Sequence, residues 1–69
     1  MDRLWRVRKD HVWLDAQLQA SDDRSGFDLR VFYHGSLVFS RRWPSRDEAV
    51  DFAARQLRDL QRAGWNTHW

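Results

Sequence analysis

From His11 to Leu18 apolar and polar residues alternate, with Val12, Leu14, Ala16 and Leu18 on one side and Trp13, Asp15 and Gln17 on the other. A period of two marks a strand with one buried face. The polar run from Ser21 to Gly26 breaks the pattern as a connecting loop. Alternation resumes with Phe27, Leu29 and Val31 against Asp28, Arg30 and Phe32, and after Tyr33, His34 and Gly35 a third run carries Leu37, Phe39 and Trp43. A three-residue turn with Gly35 left-handed is a favoured hairpin link, because glycine has no Cβ to clash there. It predicts Val31 opposite Leu37, Leu29 opposite Phe39 and Phe27 opposite Arg41. A two-residue turn of His34 and Gly35 would set Arg30 against Phe39 and Leu29 against Ser40, mixing faces that a half-buried sheet keeps apart, so the first register is expected.

Pro44 ends the third run, and Ser45 with Glu48 three residues later forms a capping box that predicts a helix from Arg46. Ala49, Phe52, Ala53, Leu57 and Leu60 make its apolar stripe. Gly64 suits a left-handed residue that ends the helix near Ala63, with Trp65 folding back on Leu60. The stripe is expected to pack Phe52, Leu57 and Leu60 on Leu14, Leu29, Val31, Leu37 and Phe39. Arg3 to Arg8 has no clearly apolar face and is read as an edge strand within residues 1–10, with Lys9-Asp10 as its turn. Residues 65–69 read as a tail. The expected fold is α+β, a single domain over 1–69 in which a three- or four-stranded antiparallel sheet packs on one C-terminal helix.

Composition adds the question of what holds so small a domain together. A chain of 69 residues gains only a few kcal/mol from its core, and this one has no cysteine for disulfides or thiolate metal sites. Five tryptophans, four phenylalanines and a tyrosine supply large buried areas instead. Twelve basic and ten acidic residues leave a net charge of +2, and every basic residue except Lys9 is arginine, which favours bidentate pairing and stacking on aromatic rings. No apolar run approaches the roughly 20 residues that span a bilayer, and the first ten residues lack a signal-peptide core, so a cytoplasmic location is expected.

The residues give no signal for catalysis. His11, His34 and His68 lack metal-ligand spacing, the serines lack a nucleophile elbow, and the glycines are isolated turn and cap residues. Asp47, Glu48, Asp51 and Asp59 are explained by the helix dipole and by pairs four residues apart. No catalytic, cofactor or metal residue is therefore assigned, and a non-enzymatic module is expected. The remaining constellation is the sheet face turned from the helix, where alternation places Trp13, Arg30, Phe32, Val38 and Arg42 among Asp15, Gln17, Asp28 and Ser40. Tryptophan and arginine are enriched at protein interfaces, and aromatic and arginine-rich sheets also hold nucleic acid. The structural alternative is a cross-strand pair of Trp13 and Phe32 covered by Trp5 or Trp69. Trp13, Arg30, Phe32 and Arg42 form the candidate binding face; a protein partner or second copy is favoured, and nucleic acid is the alternative.

The run Arg41-Arg42-Trp43-Pro44-Ser45-Arg46-Asp47-Glu48-Ala49-Val50-Asp51-Phe52-Ala53-Ala54 resembles the strand-to-helix passage of ethylene-response-type DNA-binding domains and of integrase arm-binding domains. That resemblance implies a three-stranded sheet that reads DNA, backed by one helix. Acidic residues interrupt the corresponding sheet face here, and the early glycine-arginine motif has no counterpart. The whole pattern, ending in Gly64-Trp65, is also similar to small uncharacterised bacterial proteins.

Overall fold

The computed structural model describes residues 2–22 and 26–67. Along them run β1 (Asp2–Lys9), β2 (Val12–Ala20), β3 (Phe27–Tyr33), β4 (Ser36–Trp43), α1 (Arg46–Arg62) and a two-residue β5 (Asn66–Thr67). The strands form one antiparallel sheet in the order β4-β3-β2-β1-β5, with α1 on one face. This is the expected α+β arrangement. Residues 66 and 67, read as tail, add a fifth strand by pairing with Arg8 and Val7. Asp23, Arg24 and Ser25 of the expected loop and His68 and Trp69 of the expected tail lie outside the described residues.

The first segment departs most from its sequence reading. β1 is paired on both sides, and its turn is Asp10-His11 rather than Lys9-Asp10, since Lys9 pairs with Val12 and Asp10 carries the positive φ of 56°. A bulge between Arg3 and Trp5 brings Trp5 and Val7 opposite Ala16 and Leu14, on the helix side. There they are core: Trp5 is 2% exposed and Val7 is fully buried. Trp5 therefore does not cover Trp13. Its indole Nε1 instead donates to the Ala53 carbonyl oxygen at 2.9 Å, tying α1 to β1 at a point where Ala49 and Ala53 are too small to hold the helix off.

The expected β3 to β4 register is also corrected. His34 and Gly35 form a two-residue turn with φ of 51° and 89°, the left-handed pair whose twist matches the flanking strands. The mixing of faces that argued against this turn is removed by a bulge, which leaves Val38 without an opposite residue between Phe32↔Leu37 and Val31↔Phe39. Past it Leu29 faces Arg41 and Phe27 faces Trp43. Leu37 and Val38 exchange their expected sides: Leu37 stands opposite Phe32 on the open face, 54% exposed, whereas Val38 borders Leu14, Val31 and Leu60 on the helix side, 59% exposed.

The core comprises Trp5, Val7, Ala16, Leu18, Leu29, Val31, Ala49 and Ala53, with Leu57 and Leu60 packed against it. Phe52 is half-buried at its margin. Its ring stacks on Phe39, centroids 5.9 Å apart and 13° between planes, and tilts against Trp43 at 4.9 Å. The helix begins and ends where expected, between Ser45 and Ala63, with the Glu48 carboxylate taking the Ser45 hydroxyl. Ser45 Oγ accepts from the Glu48 N–H and donates to the Glu48 carboxylate at 2.9 Å. At the other end the N–H groups of Gly64 and Trp65 donate to the carbonyls of Gln61 and Leu60, and the Lys9 ammonium donates to the Ala63 carbonyl at 2.9 Å.

Candidate binding face

Because paired residues of an antiparallel sheet share a face, the register fixes what stands opposite the helix side. Trp13 on β2, Arg30 and Phe32 on β3 and Arg42 on β4 all lie on the open face, as their sequence pattern predicts. Ser40, Gln17, Asp15 and Asp28 lie among them. Alternation in β1 adds residues that sequence reasoning left out: Arg3 opposite Gln17, Arg6 opposite Asp15 and Arg8 opposite Trp13. Their signal was the switch between Trp5, Arg6, Val7 and Arg8, which becomes legible once Trp5 and Val7 are known to be buried.

Arginine packs on Trp13 here. The Arg6 Cζ lies 4.2 Å from the indole centroid and the Arg8 Cζ 5.3 Å from it, within cation–π range. Arg6 Nε also approaches Asp15 Oδ1 at 3.1 Å, but both atoms lack a properly aligned hydrogen bond, so the contact is an ion pair with its N–H aimed off the oxygen. A second knot forms around Asp28, which accepts a hydrogen bond from Ser21 Oγ at 3.3 Å and lies 3.6 Å from Arg42 Nε and 3.9 Å from Arg30 Nη2. These partly exposed pairs add little to stability, roughly 0–1 kcal/mol each. They do hold the arginine side chains in place, which lowers the entropy lost on meeting a partner.

Trp13 and Phe32 are both half-buried, intermediate between a sealed structural pair and a bare platform. Between them the face dips, in a hollow of about 240 Å³ lined by Arg6, Trp13, Asp15, Phe32, His34 and Gly35. Charge is segregated as well. Five arginines against two aspartates leave the open face at +3, while the four arginines of α1 are balanced by Asp47, Glu48, Asp51 and Asp59. Among the described residues no group of three or more histidine, aspartate or glutamate side chains is placed to hold a metal ion, and no helix is long and apolar enough to cross a membrane. No protein family, curated protein or solved structure matches the chain.

Proposed function

We propose that this domain is a non-enzymatic interaction module whose open sheet face docks on an acidic protein surface. The observation that carries the reading is the segregation of charge, +3 on the open face around half-buried Trp13 and Phe32 against a neutral helix. A positive patch with aromatic residues at its centre matches an interface in both composition and electrostatics. Pairing with a second copy through this face would oppose +3 to +3, so the second-copy reading is set aside for this face. Nucleic acid is the second reading, favoured by the five arginines. Base stacking needs an open aromatic ring, and guanidinium groups already lie over Trp13, which supports protein over nucleic acid.

Affinity capture from nuclease-treated lysate, using wild type and Arg8→Glu as baits, tests the proposal. The expected result is a protein species that wild type retains after nuclease treatment and that Arg8→Glu loses. Equal capture by both baits contradicts the assignment to this face, and capture that vanishes with nuclease moves it to nucleic acid.

A further inference from the structure

The open face is not the only surface left unpartnered. Among the described residues β4 forms one margin of the sheet over eight residues, with no strand beyond it. Tyr33 and Ser36 close a two-residue turn and so form a hydrogen-bonded pair, from which bonding alternates along the ladder. That alternation turns the backbone N–H and C=O of Ser40 and Arg42 outward.

Beside this edge, on the helix side, two hollows of about 340 and 540 Å³ meet at Gln56 and Asp59. The first is apolar, formed by Val38, Leu14, Val31 and Leu60, and the bulge leaves Val38 exposed at its rim. The second is formed by Arg41, Trp43, Phe52 and Arg55, with the Arg41 Cζ 4.1 Å from the Trp43 ring centroid. Trp43 Nε1 and Gln56 Oε1 lie at this groove without hydrogen-bond partners among the described residues.

We infer that the groove between β4 and α1 binds an extended acidic peptide, which adds to the sheet as a sixth strand. Strand addition satisfies the outward groups of Ser40 and Arg42, and side chains two residues apart on the ligand point toward the groove. An apolar side chain enters the hollow at Val38, and a carboxylate meets Arg41, whereas Arg55 beside it is paired with Asp51 at 3.5 Å. Charge selects this occupant over a second copy. Two β4 strands side by side would gather four arginines into one ribbon, the arrangement that protects natural sheet edges from their own kind.

A random twelve-residue peptide display library panned on the whole protein supplies the probe, and the selected peptide is then synthesised. The expected peptide has an apolar residue followed within a few positions by aspartate or glutamate, and it binds one to one. It slows hydrogen exchange of the Ser40 and Arg42 amides. Arg41→Glu and Val38→Glu, both at exposed positions and checked for fold by circular dichroism, each weaken it at least tenfold, whereas Arg8→Glu on the open face leaves it unchanged. Selection of no peptide above background, equal binding by the two groove variants, or loss of binding in Arg8→Glu would each overturn the inference. Concentration-dependent dimerisation that protects the same two amides would also overturn it, by naming a second copy as the occupant.

Discussion

Trp5 is the largest fully buried side chain among the described residues. It fills the space between sheet and helix and also spends its one donor on the Ala53 carbonyl. Trp5→Phe keeps a ring but loses the donor, and is expected to cost about 1–3 kcal/mol in urea unfolding. Trp5→Ala is expected to cost about 3–5 kcal/mol, which a domain of this size hardly survives. Phe52, half-buried at the core margin against Phe39 and Trp43, is expected to fall below that range, with Phe52→Ala costing about 2–3 kcal/mol. A variant that melts within a degree of wild type would place Phe52 outside the packing altogether. Gly26 is constrained differently. Its φ is 150°, and a Cβ there would stand 2.3 Å from the Trp43 carbonyl oxygen, so Gly26→Ala must displace the start of β3 from the end of β4. A loss above about 1 kcal/mol is expected, and a neutral result would contradict the close approach.

At the scale of elements, the helix was legible and the strand ends were not. Ser45, Glu48 and Gly64 act within one turn of themselves, so their meaning is local; Ser45→Ala is expected to cost about 1 kcal/mol, read by thermal melting. The bulges at Leu4 and Val38 are settled by the sheet as a whole. In β4, turn twist favours the two-residue link while burial of Phe39 and Trp43 requires one residue more, and only the assembled sheet shows that both demands are met. In β1, the bulge realigns Trp5 and Val7 with the core, while Arg6 and Arg8, which alternate with them, obscure the apolar side. The candidate face was accordingly half legible: the residues on β2, β3 and β4 followed from alternation, and Arg3, Arg6 and Arg8 did not. Deletion of Val38 tests the β4 register. With the bulge removed, Leu37 still faces Phe32 and Phe39 still faces Val31, so the fold is retained, as cross-strand nuclear Overhauser contacts between Val31 and Phe39 would show. A deletion variant that unfolds would contradict the observed pairing.

Over the whole molecule the division of labour is between two faces of one sheet. The helix side holds the large buried side chains, and the open side holds arginine networks of small energetic value. Binding through the open side is expected to weaken as salt rises, because exposed charges are screened beyond about 10 Å at 0.1 M ionic strength. If the open face serves binding, as proposed, it is dispensable for folding. Urea unfolding of Trp13→Glu measures it directly. The new carboxylate lies between the Arg6 and Arg8 side chains that now pack on the indole, so the fold is expected to stay within about 1 kcal/mol of wild type. A loss of about 3 kcal/mol or more, comparable to removing Trp5, would make Trp13 part of the core and contradict the account.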